Sequence, residues 1–418
     1  MTRSLLKTIL VAGLMLMLLI PAVPTRAQST TVTMWAFPLS GDDAALYRPI
    51  IQAFERANPS IKINIEVFPW AGRMEKMMAA AAADATPDIA YLNTDFFPKF
   101  AEIGALWSID GRVPQDVIDD YLPGPLSAPT YKGKLYGKAK LYGLPILTSM
   151  FTNVYNVDLM ERSGMNPSRL PTNWTEFEEF MKAMTKSGTQ WGAQFNVKRA
   201  SPVTTFVPFL WQAGGEVYAP NGRTCAFNSP EGVRALDFMV GIFKKGYAQQ
   251  ANITGGGESF TNGRMGVLVQ AEPNDIPTVK RQAPNIRLAI GPTLKDKRQI
   301  NFGTVGSYAI FDKSRNKEAA LKWVLHITTP QNMVQILRVT GFISPRKSLQ
   351  AGEYATTPEF RRIVDEAKYA RPEPAHFYSR EVLNLMTPEL EAAFLGLKTS
   401  KQALDAAVSA CNDLLKTQ

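Results

Sequence analysis

The stretch LYGLPILTSMFTNVYN, residues Leu141–Asn156, decides how the chain is divided. Gly143 and Pro145 disfavour a helix here, and the β-branched and aromatic residues that follow are typical of a buried strand. We interpret this stretch as the place where the chain leaves one domain and enters another. Thr148 and Ser149 are therefore predicted to face a cleft between two lobes. The alternative is an ordinary buried strand with two solvated hydroxyls.

The N-terminal segment indicates the compartment. Basic residues precede an apolar run at 9–20, and a small-residue cleavage site ends at Ala27. This is the three-part pattern of a secretory signal peptide. We expect residues 1–27 to be absent from the mature protein. Because no cysteine lies near the cleavage site to carry a lipid anchor, the mature protein is expected to be free in a periplasm.

Charge and composition argue against several classes of function. The signal would remove three basic residues, which lowers the formal charge from +9 to +6 and leaves no block of Lys or Arg. Such a surface disfavours nucleic-acid binding. The isolated His326 and His376 predict no metal site, no cofactor is expected, and the glycine run at 255–257 lacks the spacing of a phosphate-binding loop. The only two cysteines are Cys225 and Cys411, and the sequence leaves open whether they pair.

Hydrophobic periodicity predicts a parallel sheet in the first part of the chain. Strands are expected at 31–37, 61–67 and 88–92. Pro49 predicts a late start for the first helix, and an alanine-rich helix follows at 73–83. Strands and helices alternate as in βαβ units, whose ligands sit at the carboxyl ends of the strands. Further strands are predicted at 266–270, 286–290 and 305–311, and further helices at 174–184, 230–245, 318–327, 330–339, 381–395 and 401–415.

Short motifs in a particular order carry a resemblance to a known family. They are VTMW at 32–35, FERANP at 54–59, PDI at 87–89, YGLP at 142–145, YN at 155–156, PTNW at 171–174, GGE at 214–216, FNSPEG at 227–232, Phe260 with Gly263-Arg264, and KQALD at 401–405. With them the chain resembles the extracellular solute-binding proteins of ABC importers (family 1), in the sugar-binding branch that includes maltose-binding protein. The motifs cover nearly the whole mature chain.

The resemblance implies a type II-like periplasmic binding protein fold. This is an α/β fold of two lobes, each a mainly parallel sheet flanked by helices, with the ligand cleft between them. The expected N-terminal lobe is 28–147 plus 284–340, and the expected C-terminal lobe is 148–283 plus 341–418. Closure of the cleft on a ligand would present both lobes to a membrane permease.

The resemblance also implies where some ligand contacts lie. Asp95 comes seven positions after Asp88, where the family often has a carboxylate that accepts sugar hydroxyls. Ser149 occupies a hinge position that carries an acid in maltose-binding protein, and its presence disfavours a maltodextrin ligand. Glu272 follows the strand where many members have a stacking tryptophan, and its carboxylate is able to accept hydroxyls instead.

Carbohydrate chemistry gives the full set of candidate site residues. Sugars have apolar ring faces and polar edges, so their sites combine flat aromatic rings with charged or amide groups. Core packing is the alternative role for Trp35 and Trp211, and a salt bridge is the alternative for Arg346. The candidate ligand-binding residues are Trp35, Phe37, Trp70, Arg73, Asn93, Asp95, Tyr142, Thr148, Ser149, Trp211, Glu272 and Arg346.

These observations predict a non-enzymatic periplasmic carrier, a monomer that captures a sugar or an oligosaccharide and delivers it to ABC importer permease subunits at the inner membrane. An anionic sugar derivative, such as a glycerol phosphate or a uronate, is the alternative cargo, because Arg73 and Arg346 suit an anion. A secreted glycoside hydrolase is the rival from another class, since a spatial pair of carboxylates leaves no sequence motif. The sequence has no Gly-x-Ser-x-Gly or His-Glu-x-x-His motif, and no catalytic residue is predicted.

Overall fold

Two β-sheets carry the fold of the computed structural model, which describes residues 29–133, 138–195, 201–253, 259–350 and 354–416. The predicted signal peptide and the glycine run at 255–257 lie outside the described residues. The strands, in chain order, are β1 (Thr30–Ala36), β2 (Ile61–Val67), β3 (Ile89–Asn93), β4 (Thr130–Tyr131), β5 (Lys140–Leu141), β6 (Gly143–Met150), β7 (Thr152–Asn156), β8 (Trp191–Phe195), β9 (Met265–Ala271), β10 (Leu288–Ile290), β11 (Asn301–Ile310) and β12 (Ala370–Pro372).

Helices surround both sheets. A short 3-10 helix at Thr94–Phe96 leads directly out of β3 into the next α-helix. The α-helices are α1 (Asp43–Ala57), α2 (Arg73–Ala82), α3 (Phe97–Glu102), α4 (Gln115–Asp119), α5 (Pro123–Ser127), α6 (Val157–Arg162), α7 (Trp174–Met184), α8 (Ser201–Gln212), α9 (Pro230–Lys244), α10 (Asp275–Gln282), α11 (Lys317–Ile327), α12 (Pro330–Thr340), α13 (Pro358–Glu366), α14 (Ser379–Phe394) and α15 (Ser400–Leu415).

The first sheet has the strand order β12-β11-β3-β1-β2, and β6 also pairs with β11. Strands β1, β2 and β3 are parallel, which confirms the βαβ units predicted for this region. Strand β11 runs antiparallel to β3 and to β6. The second sheet has the order β10-β7-β9-β8, in which only β8 and β9 form a parallel pair. The predicted α/β class is confirmed, and both sheets are mixed rather than mainly parallel.

The chain crosses from the first sheet to the second at Phe151, within the stretch quoted at the start. Strand β6 ends at Met150 in the first sheet, and β7 begins at Thr152 in the second. A Cβ atom at Gly143 would lie 2.7 Å from the carbonyl oxygen of Tyr308, so glycine is needed for the close pairing of β6 with β11. The structure thus confirms a buried strand that leads from one sheet into the next.

Strand β10 does not lie where the expected lobe boundaries place it. The expected N-terminal lobe includes 284–340, but β10 pairs with β7 in the second sheet. Backbone pairing decides the position of such a short strand, and the sequence of three apolar residues carries no information about its partner. The expected C-terminal lobe includes 341–418, but β12 pairs with β11 in the first sheet. The rest of the predicted division into lobes stays a prediction.

Capping residues set several helix ends that the sequence predicted. The side chains of Asn173 and Ser229 accept backbone hydrogen bonds at the starts of α7 and α9, and Pro230 is the first residue of α9. Gly341 ends α12 with a φ of 75°, in the left-handed conformation that glycine adopts readily. These ends confirm the predicted boundaries to within one residue.

The predicted late start of the first helix is wrong. Helix α1 begins at Asp43, with Asp42 as its cap, and Pro49 lies inside it. Proline removes the hydrogen bond to the carbonyl four residues earlier, that of Ala45. Both Ala45 and Pro49 are exposed, so water solvates the freed carbonyl and the helix tolerates the proline.

The two cysteines form a disulfide, which the sequence left open. Cys225 and Cys411 are bonded, with Cα atoms 6.2 Å apart, and join the segment before α9 to the last helix, α15. Both are buried in the core of the second sheet. Within the described residues, no helix combines the length and the apolar character needed to cross a bilayer.

Candidate functional site

A cavity of about 370 Å³ lies between the two sheets. Because β1, β2 and β3 are parallel, their carboxyl ends meet at one edge. The loops after β1 and β2 bring Leu39 and Trp70 to the cavity wall, and Asn93, the last residue of β3, joins them there. Gln270 and Glu272, at the end of β9, line the opposite wall. The cavity therefore has one wall from each sheet.

Aromatic rings line this cavity from several directions. Trp70 and Tyr91 come from the first sheet, and Phe151 and Phe302 lie where the chain passes between the sheets. The ring of Phe37 stacks behind Trp70 with centroids 4.9 Å apart, and the Trp70 Nε1 donates to a backbone carbonyl 3.0 Å away. These contacts fix the indole of Trp70 and leave a rigid aromatic surface at the cavity.

Three carboxamide side chains line the same cavity: Asn93, Gln270 and Asn274. Their carbonyl oxygens are buried and accept no hydrogen bond from any part of the chain that the structure describes. A carboxamide offers both a donor and an acceptor. Nearby, the hydroxyls of Ser149 and Thr304 lie 2.8 Å apart and also line the wall. The cavity thus presents polar groups that a ligand rich in hydroxyls is able to satisfy.

A buried network of four charged residues closes one side of the cavity. It consists of Arg73, Asp95, Glu373 and Arg380, of which all but Asp95 line the cavity. The Nη2 of Arg380 donates to Asp95 Oδ2, and the Asp95 side chain is 0% exposed. The Arg73 guanidinium lies over the Trp70 ring, 5.2 Å from its centroid. Asp95 therefore positions the guanidinium of Arg380 from behind.

A second ion pair runs beside the first. Lys99 on α3 pairs with Glu381 on α14, directly next to the pair between Asp95 and Arg380. Helix α14 packs in the core of the second sheet, whereas the aromatic residues around α3 belong to the core of the first. The two pairs have opposite polarity and join the two cores across the rim of the cavity.

Burial sets the protonation of the network. Removal from water and the charge of Asp95 together raise the pKa of the Glu373 carboxyl to about 7, against the opposing effect of Arg380 and Arg73. Burial also lowers the pKa of Arg73. For Arg380 burial acts in the same direction, but the carboxylates of Asp95 and Glu373 outweigh it and raise the pKa. Glu373 is thus expected to titrate near neutral pH.

We expect Glu373→Gln to change how stability depends on pH. Because the pKa of Glu373 in the folded protein exceeds its ordinary value of 4.5, the folded state binds the proton more tightly than the unfolded state. Its contribution to the free energy of unfolding therefore falls as pH rises from about 4.5 to about 7, by up to about 3 kcal/mol. Urea denaturation at pH 5 and pH 7.5 should show this loss in the wild type and not in Glu373→Gln.

The matched control for this measurement is the exposed Glu66, replaced by Gln. Glu66→Gln should follow the wild-type pH dependence, since the side chain is solvated in both states. Parallel pH profiles for the wild type and Glu373→Gln would show that Glu373 does not titrate in this range.

Five of the candidate residues line the cavity: Trp70, Arg73, Asn93, Ser149 and Glu272. Three others lie directly behind lining residues. Phe37 supports Trp70, Asp95 supports Arg380, and Trp211 stacks on Phe302 with ring centroids 6.0 Å apart. The remaining candidates are outside the cavity.

Those remaining candidates have other partners. Trp35 packs edge-on against Phe68, on a different surface. Thr148 donates to the carbonyl of Ile343 and lines a separate cavity behind the crossing strands. Tyr142 is partly buried against the core of the first sheet.

Arg346 is part of a buried salt bridge. It is 3% exposed, and its guanidinium donates to Asp120 Oδ2 and to the carbonyl of Thr328, each at 2.9 Å. These partners hold Nε and Nη1 of the guanidinium, and Arg346 is not among the residues that line the cavity. Of the two roles that the sequence left open for Arg346, the structure places it in the salt bridge.

The structure adds lining residues that sequence reasoning missed. Tyr91, Gln270, Phe302, Glu373 and Arg380 all line the cavity. Tyr91 and Phe302 look like core residues within their strands. A usable signal existed only for Glu373, which is an acid held between two prolines in a loop.

The arrangement suits reversible binding of a polar ligand with apolar faces. It combines rigid rings, carboxamides and charged groups but no recognised catalytic grouping. Across the described ranges, no three His, Cys, Asp or Glu side chains lie close enough together to hold a metal ion.

Comparison with known proteins agrees with this geometry. The model of the family described as bacterial extracellular solute-binding protein matches residues 38–334. A binding protein of Brucella abortus (strain 2308) is 24% identical over 420 residues, which cover 97% of this chain and 98% of that protein. The sn-glycerol-3-phosphate-binding periplasmic protein of Shigella dysenteriae (serotype 1) is 22% identical, with 94% and 95% covered.

Solved structures show the same fold. An ABC transporter solute-binding protein of Thermotoga lettingae, bound with α-D-tagatose, has a TM-score of 0.78 and 21% identity, with 93% of this chain and 100% of that chain covered. An ABC substrate-binding protein of Listeria monocytogenes, in complex with cycloalternan, has a TM-score of 0.80 and 20% identity, with 93% and 99% covered. These likenesses confirm the two-lobed fold predicted from the sequence.

Proposed function

The chain belongs to the bacterial extracellular solute-binding protein family, and on that premise we propose that it is the substrate-binding component of an ABC transporter. It captures a carbohydrate, either a sugar or an oligosaccharide, in the cavity between the sheets and delivers it to the membrane permease. The aromatic rings and unpartnered carboxamides around this cavity carry the proposal.

Carbohydrate chemistry fits the lining of the cavity. The apolar face of a sugar ring packs on an aromatic side chain such as Trp70, and its hydroxyls bond to amides such as Asn93. The volume of about 370 Å³ lies within the range of roughly 300–1,000 Å³ that is usual for small-molecule sites. The ligands of two solved relatives, tagatose and cycloalternan, support a carbohydrate cargo.

The charges around the cavity favour a neutral sugar over an anionic one. Arg73 and Arg380 line the cavity, but so do the acids Glu272, Asp275 and Glu373. Asp95 further neutralises Arg380 from behind, so the two guanidinium groups are balanced before a ligand arrives. An anionic derivative, such as a glycerol phosphate or a uronate, is the second candidate, supported by the relatives that bind sn-glycerol 3-phosphate.

The cellular role follows from the family. The relatives reported above are binding proteins, which supports a carrier rather than a glycoside hydrolase. A periplasmic location, after removal of the predicted signal at 1–27, agrees with the periplasmic relative from Shigella. The protein acts as a monomer that meets a permease and no nucleic acid.

Closure of two lobes would hold the ligand. The lobes are those of the predicted division, 28–147 plus 284–340 and 148–283 plus 341–418, with the segment around β10 moved to the second lobe and the segment around β12 moved to the first. A ligand that touches both walls of the cavity favours the closed state over the open one.

A thermal-shift screen tests the proposed function. Neutral mono- and disaccharides, uronates and sn-glycerol 3-phosphate are added in turn to the full mature chain. A ligand that binds only the folded state raises the melting temperature. A shift with neutral sugars supports the proposal, a shift with acidic ligands alone supports the second candidate, and turnover of a sugar into product would contradict a carrier.

We expect Trp70→Ala to weaken binding of the sugar found in this screen by at least about tenfold, or ~1.4 kcal/mol. The reason is that Trp70 supplies ring surface at the cavity wall. Trp35→Ala is the matched control and should bind normally, because Trp35 lies on another surface. Calorimetric titration measures both variants. Equal losses in the two would remove Trp70 from the site.

A further inference from the structure

Gln270 has an unusual backbone conformation for its place in a strand. Its φ is 54°, in the left-handed region that side chains with a Cβ atom disfavour. The register of β7 against β9 is irregular at this point, between Thr152 and Val154. Asn153 Oδ1 accepts from the Gln270 N–H at 3.2 Å and helps to hold the conformation. Among the described non-glycine residues, only Asp84, in an exposed turn, shares a positive φ.

The Gln270 side chain has a buried hydrogen-bond acceptor without a partner. It is 3% exposed and lines the ligand cavity, yet its Oε1 accepts no hydrogen bond from the described parts of the chain. Gln212 shows the contrast. It is equally buried, but its Oε1 accepts from Trp174 Nε1 at 2.7 Å and its Nε2 donates to the Ile300 carbonyl at 2.9 Å. An unpartnered amide on a strained backbone needs a reason other than packing.

We propose that Gln270 is a specificity-determining residue of the site and that it recognises a vicinal diol, two hydroxyls on adjacent carbons of the ligand. The inference rests on the proposed function, and it names the chemical group that the site selects. A carboxamide presents a donor and an acceptor side by side. It therefore matches a diol in which one hydroxyl accepts and its neighbour donates.

The surrounding residues make this role specific to Gln270. Asn93 and Asn274 line the same cavity and also have unpartnered carbonyl oxygens, so they are available for the remaining hydroxyls. Neither of them has a positive φ. The strain at Gln270 is relieved by glycine alone, and glycine has no amide. The presence of glutamine there costs stability and supplies a hydrogen-bonding group at the cavity wall.

Two variants of Gln270 test the proposal. Gln270→Gly removes both the amide and the strain, whereas Gln270→Leu removes the amide and keeps a side chain of similar size. The probe is the sugar that gives the largest shift in the thermal screen, together with its monodeoxy analogues. Melting curves without ligand and calorimetric titrations are recorded for each protein.

We expect both variants to bind the sugar at least about tenfold more weakly than the wild type. Gln270→Gly should melt no lower than the wild type without ligand, since it relieves the backbone. The wild type should lose at least about tenfold in affinity for the analogue that lacks one hydroxyl of the recognised pair. Gln270→Leu should bind that analogue and the parent sugar alike.

Gln212→Leu is the control for a buried glutamine with a purely structural role. It should melt lower than the wild type, because it leaves Trp174 Nε1 and the Ile300 carbonyl without partners, and its affinity for the sugar should be unchanged. Wild-type affinity in both Gln270 variants, or a large fall in the melting temperature of Gln270→Gly, would overturn the inference and leave the carrier function standing. A wild type that binds none of the screened sugars would overturn both.

Discussion

Asp95→Ala is expected to lower the free energy of unfolding by about 3–5 kcal/mol, the usual cost of removing one partner of a buried ion pair. The Asp95 side chain is fully buried and holds Arg380, with Arg73 close enough for its charge to matter. Alanine would leave the two guanidinium groups facing each other without the carboxylate between them. Glu373 compensates in part, because the loss of the Asp95 charge removes one of the effects that raise its pKa. Urea denaturation without ligand measures the loss.

The control for Asp95 is an aspartate whose ion pair is exposed. Asp405 pairs with Lys401 one helical turn earlier, and both side chains are well solvated. Asp405→Ala should cost far less stability than Asp95→Ala, because water screens an exposed ion pair. Asp95→Asn combined with Arg380→Gln should recover much of the stability, since no unbalanced charge remains. Similar losses for Asp95→Ala and Asp405→Ala would contradict a buried network.

Loss of the disulfide is expected to cause the other large decrease in stability. The bond between Cys225 and Cys411 closes a loop across 186 positions of sequence. For a loop of that length, the chain-entropy model gives a stabilisation of about 5 kcal/mol, which is an upper value for a bond of this kind. Replacing both cysteines by alanine should therefore lower the melting temperature substantially, with the sugar affinity retained because both residues lie away from the cavity.

Reduction of the wild type gives an independent check on the disulfide. Dithiothreitol with mild denaturant, which exposes the buried sulfurs, should bring the wild type down to the melting temperature of the double variant. The same treatment should leave the double variant unchanged. A wild type and a double variant that melt together before reduction would show that the bond contributes nothing to stability.

The sequence predicted most of the fold because local signals set its elements. Strand β2 alternates apolar and polar residues, and helices α7 and α9 begin at Asn173 and Ser229, whose side chains cap them. Such signals depend on neighbours in sequence. Strand β10 was assigned to the wrong sheet because its partner, β7, is distant in sequence. Pro49 misled because the helix continues through it, with the carbonyl that it leaves unbonded, that of Ala45, in an exposed residue.

The site was only partly predictable, because several of its contacts join residues that are distant in sequence. Trp70 and Asn93 were found because they follow strands whose carboxyl ends are expected to meet. Arg380 was missed because its partner Asp95 is 285 positions away, and no local pattern links them. The strain at Gln270 depends on the irregular pairing of β7 with β9, which the apolar sequence of β9 does not reveal. Arg346 was set among the ligand contacts, but its partner Asp120 lies in another part of the chain.

The opposite polarity of the two ion pairs at the cavity rim has a consequence for how the halves of the molecule fit together. Asp95 faces Arg380 and Lys99 faces Glu381. A register shift of α14 by one residue would break both pairs. In one direction it would set Glu381 against Asp95, and in the other it would set Arg380 against Lys99, and each of these contacts is repulsive. The two ion pairs therefore form together in one relative alignment of the halves. Only the observed alignment of the two halves keeps both contacts attractive, so the two ion pairs together fix the relative position of the cavity walls.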